Sequence, residues 1–283
     1  MLAHSLVTAK SADPTQLMLF LHGILGNRAN WRGIARRFVA ARPDWGAVLV
    51  DLREHGDSLG LDAPHGLKAV ADDLAALERS LASTVGGAIG HSFGGKVVLE
   101  WLRSRADQST EAWVIDASPS PSDRERDASA TAEVLRTLDS LPRSWPSREA
   151  FVAALAEAGQ PRSIAEWLAM NLRRTDDGGR RFGPELSIIR ALIEDYARTD
   201  CWDIVEAPPP GCSLGLVIGG ESEAFSQSDR ERAERIARRN PQVSVHLVEG
   251  AGHWVHVDAP DAMLAILTSP PTPARGAVKP QSR

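Results

Sequence analysis

Cysteine is nearly absent from this 283-residue chain, which carries only Cys201 and Cys212. Two thiols cannot build the disulfide framework of a small secreted domain, so both are expected as buried or free thiols in a reducing compartment. Basic runs are missing as well. Lysine and arginine are scattered among acids, the net charge is −5 and the calculated pI is about 5.9. That distribution argues against a nucleic-acid partner. No apolar run approaches the roughly 20 residues of a membrane span. Met1 to Val7 has no basic segment leading into a long apolar stretch, so no signal peptide is expected. The HExxH pattern of zinc hydrolases does not occur. The expectation from these absences is a soluble cytoplasmic protein with no membrane association and no metal site of that kind.

Hydrophobic residues make up 43% of the chain, enough for one large α/β domain or for a core with an insertion. Short apolar runs recur: Leu17–Leu21, Ala47–Val50, Ala112–Ile115, Leu214–Ile218 and Val243–Val248. They are uninterrupted rather than alternating, as in strands covered on both faces of a mostly parallel sheet. Leu2–Val7 is a candidate edge strand. Helical patterns lie between the runs, at 29–41, 66–83, 94–105, 229–239 and 259–268. The order predicts a doubly wound α/β sheet. Between about Pro119 and Asp203 the alternation fails. That stretch reads as helices without strands, with candidates at 148–158, 163–173 and 187–196. It is too long for a connection and is expected to be a helical cap inserted in the sheet. The domain expectation is therefore a core over 1–118 and 204–268, a cap over 119–203, and a disordered tail over 269–283.

The most informative segment is Gly90-His91-Ser92-Phe93-Gly94-Gly95. It follows the apolar run Gly86–Ile89 and precedes the helical Lys96–Leu102. Strand, sharp turn and helix are the context that makes G-x-S-x-G a nucleophile elbow. Serine needs a base, and the base needs an orienting acid. Gly250-Ala251-Gly252-His253-Trp254 follows the last strand and supplies His253 as the base. His256 reads as a pocket-wall or structural histidine. The oxyanion hole needs two backbone N–H groups. Phe93 follows the nucleophile, and Ile24 in Leu21-His22-Gly23-Ile24-Leu25-Gly26 follows an early strand. His22 is expected to brace that loop.

Two positions compete for the acid. Asp116 follows the strand Ala112–Ile115 and has a short, stiff side chain. Glu223, in Gly219-Gly220-Glu221-Ser222-Glu223, follows a later strand. Both sit at C-terminal strand ends, where sites form on such sheets. The loop Asp51–Ser58 reads as structural support beneath the site. Trp145, Trp167 and Trp202 could line an apolar pocket or form the core of the cap.

Taken together these residues resemble the α/β-hydrolase fold, and within it the YbfF-type esterases and their mitochondrial abhydrolase-domain relatives. The segments that carry the resemblance run from about Leu17 to Leu267. They are the loop Leu21–Asn27, the loop Asp51–Ser58, the elbow with Lys96, Val114–Pro119 and Gly250–His256. Asn171-Leu172 followed by Arg173-Arg174 looks like the cap of that group. The resemblance implies a carboxylesterase or thioesterase for small or medium acyl groups, with no cofactor, and it favours Asp116 as the acid. Two other outcomes are open: a carbon–carbon hydrolase or menaquinone-pathway-type lyase on the same triad, and a non-catalytic ligand-binding protein.

Overall fold

The computed structural model describes residues 1–105, 110–122 and 128–269. The tail expected to be disordered lies, beyond Ser269, outside the described residues. Five strands come first: β1 (His4–Val7), β2 (Gln16–Leu21), β3 (Trp45–Val50), β4 (Val85–His91) and β5 (Thr110–Ile115). Three short ones follow, β6 (Ser144–Trp145), β7 (Leu172–Arg174) and β8 (Arg180–Phe182), and then β9 (Cys212–Gly219) and β10 (Val243–Val248). The main sheet has the order β1-β3-β2-β4-β5-β9-β10. Only the edge strand β1 is antiparallel, paired with β3. The remaining neighbours are parallel.

The continuous apolar runs are explained by burial on both faces. Along β2, Leu17, Leu19 and Leu21 enter one core, while Met18 and Phe20 enter the other. Along β5, Ala112 and Val114 face the first core, and Trp113 and Ile115 the second. Helices cover both sides. On the second core lie α1 (Arg32–Ala41) and, near the C-terminus, a nine-residue helix from Pro260 to Thr268. The first core is covered by α2 (Leu67–Glu78) and α3 (Phe93–Leu102).

Between β5 and β9 the chain leaves the sheet. It forms α4 (Ala128–Ser140), α5 (Arg148–Glu157), α6 (Arg162–Leu168), α7 (Leu186–Arg198) and α8 (Trp202–Glu206). After β9 come α9 (Gln227–Arg239), α10 (Val255–Asp258) and α11, the Pro260–Thr268 helix already described. The stretch expected to lack strands contains a three-stranded antiparallel sheet, β6-β8-β7. Its strands are two or three residues long and hold four arginines, so no apolar run marks them. The readable signal was the turn Asp176-Asp177-Gly178-Gly179, with Gly178 at φ 85°. The helix expected at 163–173 stops at Leu168 and passes through a 3₁₀ turn, Ala169–Asn171, into β7. Helix α8 spans the expected boundary at Asp203 and packs on α3 and α9. Among the described residues no helix is long and apolar enough to cross a membrane.

Candidate active site

Strand β4 ends at His91 and α3 starts at Phe93, so Ser92 alone makes the turn. Its φ is 52° and its ψ −118°, a sparsely populated backbone state for an L-residue. The flanking glycines make this possible. A Cβ on Gly90 would lie 2.0 Å from the Gly94 carbonyl oxygen, and one on Gly94 would lie 2.6 Å from the Leu21 carbonyl oxygen. The Ser92 N–H donates to the Ile115 carbonyl at 2.9 Å, which fastens the turn to the end of β5.

Asp116 is the next residue after β5 and is fully buried, with φ 48°. His253 Nδ1–H donates to Asp116 Oδ2 at 2.7 Å. In the neutral ring that bond puts the proton on Nδ1 and makes Nε2 the acceptor. The same carboxylate takes the Gly219 N–H on Oδ1 at 2.9 Å and the Ser222 hydroxyl on Oδ2. The loop after β9 therefore contributes donors that fix the orientation of the Asp116 side chain. Glu223 in that loop is exposed and makes no bond to His253 among the described residues. The geometry thus brings Asp116 to His253 and leaves Glu223 outside. Pinning from below comes from His91, whose Nε2–H donates to the His253 carbonyl at 2.8 Å. Burial first, then the neighbouring His256 and His253, hold His91 well below the usual imidazole range.

Loop Leu21–Gly26 lies directly beside the serine. A Cβ on Gly23 would touch Ser92 Cβ at 3.4 Å and His91 Nδ1 at 3.2 Å, so only glycine lets the backbone come this close without displacing a neighbour. Among the described residues no protein acceptor takes the N–H of Ile24 or of Phe93. Two neutral histidines brace the loop. His22 Nε2 accepts from the Leu52 N–H at 3.1 Å, so Nδ1 carries the proton and donates to the Gly23 carbonyl at 2.8 Å. His55 is arranged alike: Nε2 accepts from the Leu25 N–H at 2.9 Å, and Nδ1–H donates to the Arg53 carbonyl at 2.7 Å. Burial lowers His22 to about 4 and His55 to about 3. His22 thus has the bracing role expected of it.

This arrangement of a strained serine, a histidine and a buried aspartate sits on a fold that matches known proteins. Residues 18–266 match the alpha/beta hydrolase family. The chain belongs to that family. The hydrolase is 27% identical over 275 residues to the mouse sn-1-specific diacylglycerol lipase ABHD11, covering 95% of this chain and 84% of the relative. It is 26% identical over 259 residues to esterase YbfF of Escherichia coli K12, covering 91% and 93%. A solved marine microorganism esterase superimposes with a TM-score of 0.78 at 23% identity, covering 94% of this chain and 97% of that one, a likeness of fold. The esterase and lipase relatives support hydrolase activity for this chain.

Ser92, His253 and Ile24 of the hydrolase open onto one cavity of about 350 Å³. Its walls include Trp31, Val134, Ile164, Trp167, Trp254 and His256. The three tryptophans expected in or near the cap divide. Trp167 lines the cavity, edge-on to Trp254 at 5.0 Å between centroids. Trp145 packs on Phe151 at 5.5 Å, and Trp202 is buried, donating to the Ser120 hydroxyl at 2.7 Å. His256 is a wall residue, 5.0 Å from the Trp31 ring. The Asp51–Ser58 loop supports the site: Asp51, His55 and Ser58 are buried, and the Ser58 hydroxyl donates to the Asp51 carbonyl at 2.8 Å. Cys201 and Cys212 are both free and buried, and burial raises their thiols to about 11 and about 12. The sequence reading named Ser222 only as a neighbour of Glu223 and Asn171 only as part of the cap-like segment, and gave no role to the Ser222 hydroxyl or to Asn171 Nδ2, which donates to the Leu25 carbonyl at 2.7 Å. Neither side chain carries a pattern of its own. Only the approach of distant loops gives them partners.

Proposed function

We propose that this hydrolase is a serine esterase that cleaves small to medium acyl esters or thioesters through an acyl-enzyme. Ser92 Oγ attacks the acyl carbonyl and His253 Nε2 takes its proton. Asp116 holds the imidazole with Nδ1–H toward itself and stabilises the imidazolium. The N–H groups of Phe93 and Ile24 take the oxyanion as it forms. His253 then protonates the departing alcohol or thiol, and water cleaves the acyl-enzyme by the same path. The bond between His253 and Asp116 supports this assignment of base and acid, and no step calls for a cofactor. The observation that supports the reading most is the 2.7 Å bond from His253 Nδ1 to the buried Asp116, beside the left-handed Ser92 turn. The apolar cavity of about 350 Å³ suits a compact acyl group.

The test is turnover of p-nitrophenyl acetate, butyrate and octanoate by wild type, Ser92→Ala, Asp116→Asn and Glu223→Gln. Ser92→Ala should abolish turnover. Asp116→Asn should cost about 10⁴-fold in kcat, because an amide cannot hold the required tautomer. Glu223→Gln should behave as wild type. A Glu223→Gln collapse with an active Asp116→Asn would reassign the acid, and a folded wild type inert to all three esters would sink the esterase reading.

A further inference from the structure

The loop carrying the proposed oxyanion donor Ile24 is gripped from two directions. Leu25 has φ 58°, left-handed for a residue that is not glycine. Its N–H is held from the core by His55 Nε2 at 2.9 Å. Its carbonyl is held by Asn171 Nδ2 at 2.7 Å, from a residue 146 positions away in the 3₁₀ turn between α6 and β7. Asn171 is 4% exposed. Its own carbonyl accepts from the Gly183 N–H at 3.0 Å, one residue past β8, so it is fixed to the small sheet. Its Oδ1 is buried with no hydrogen-bond partner, while its amide donor is used. The orientation follows from chemistry: a carbonyl only accepts, so Nδ2 must face Leu25.

Peptide planarity carries that grip inward. The Leu25 carbonyl shares a rigid plane with the Gly26 N–H. That N–H donates to the Gly23 carbonyl at 3.0 Å. The Gly23 carbonyl shares its plane with the Ile24 N–H, on the opposite side. A donor on Leu25 O therefore sets the Leu25–Gly26 plane, which sets the Gly23–Ile24 plane, which aims the Ile24 N–H. His22 Nδ1–H reinforces the same Gly23 carbonyl at 2.8 Å.

We infer that Asn171 is a positioning residue for the oxyanion hole, through which the segment inserted between β5 and β9 sets the aim of the Ile24 N–H. The inference rests on the esterase reading above, with Ile24 as an oxyanion donor. Its effect falls on the transition state, because the substrate carbonyl is bound before the full oxyanion develops.

The experiment compares wild type, Asn171→Asp and Asn171→Ala, with Ser92→Ala as control. Asn171→Asp keeps the shape and removes the donor. Two readouts are needed: p-nitrophenyl butyrate kinetics, and inhibition by a trifluoromethyl ketone with the same acyl chain. The ketone adds Ser92 Oγ to its carbonyl carbon, the serine proton passes to His253, and the carbonyl oxygen becomes an oxyanion. The expected result is a kcat lower by roughly ten- to a hundredfold with KM within about twofold, since loss of a whole oxyanion donor costs about 10²–10³-fold. The ketone's inhibition constant should rise by the same factor as kcat/KM falls. Folding is checked by circular dichroism, and either folded variant decides. Unchanged kcat, a change confined to KM, or a kcat loss with unchanged ketone affinity would overturn the inference. If Ser92→Ala retains wild-type turnover, the serine reading falls and the inference with it. A Ser92-dependent enzyme indifferent to Asn171 removes only the inference.

Discussion

Acid should unfold this protein through two histidines beneath the active site. His22 and His55 are buried, and Nε2 of each accepts a backbone N–H, from Leu52 and Leu25. A proton on either Nε2 would set N–H against N–H and place a charge where water cannot reach. Burial is the larger cause and puts His22 at about 4 and His55 at about 3, with the neighbouring His22 adding to the effect on His55. In the unfolded chain both titrate near 6.5. Below that pH the unfolded state binds more protons than the folded one. Their contribution is therefore complete above about pH 6.5, falls as the pH drops, and levels off only below the folded values. At about 1.36 kcal/mol per pH unit, two units of acidification cost about 2.7 kcal/mol for each ring. The pair removes about 5 kcal/mol near pH 4.5, a large share of the ~5–15 kcal/mol that holds a domain together. His91 and His256, the latter lowered to about 4, act with the same sign. Urea unfolding followed by tryptophan fluorescence across about pH 4.5 to 7.5 reads the slope. His55→Gln keeps an acceptor for the Leu25 N–H but cannot take the proton. It should flatten the slope by about one proton equivalent, about 1.36 kcal/mol per pH unit. Stability that is flat over this window, or a His55→Gln slope as steep as wild type, refutes the reasoning.

Gly90→Ala pushes a Cβ to within 2.0 Å of the Gly94 carbonyl oxygen, so it should lower stability by at least about 1–3 kcal/mol and abolish turnover. An unchanged melting temperature with full activity contradicts the elbow geometry. Trp167→Ala removes a cavity wall and should shift preference toward longer acyl esters by about tenfold or more, read as the octanoate-to-acetate ratio of kcat/KM. A constant ratio means that Trp167 does not meet the acyl chain. Lys96 is buried, and its Nζ donates to the carbonyls of Ser120, Tyr196 and Thr199 at 2.7, 2.9 and 2.9 Å. Lys96→Met strips those carbonyls of a donor and should destabilise by about 2–4 kcal/mol in urea unfolding; a loss under about 0.5 kcal/mol would show that the buried ammonium is not structural.

Sequence alone determined what depends on neighbours along the chain. Uninterrupted apolar runs such as Leu17–Leu21, short and set between helical patterns, read as strands covered on both faces, and the two cores meeting on alternate residues of β2 are that prediction in three dimensions. Gly90 and Gly94 around Ser92 announce a turn too tight for Cβ atoms, because the collision is with carbonyls fewer than five residues away or on the next strand. Tertiary structure decided what depends on which loops converge. Asp116 and Glu223 both follow strands, and although the short Asp116 side chain and the family resemblance favoured Asp116, the sequence left both open. The parallel pairing of β5 with β9 places the Gly219 N–H and Ser222 on the Asp116 carboxylate, while Glu223 points out to solvent. The arginine-rich β7 and β8 were invisible because three-residue strands bury too little for a hydrophobic pattern. Asn171, legible in the sequence only as part of a cap-like segment, has no partner for its amide until a loop 146 positions away offers it a carbonyl. Periodicity and steric exclusion act over a few residues and can be read in order. A hydrogen bond between distant segments depends on the whole packed arrangement, which no local window contains.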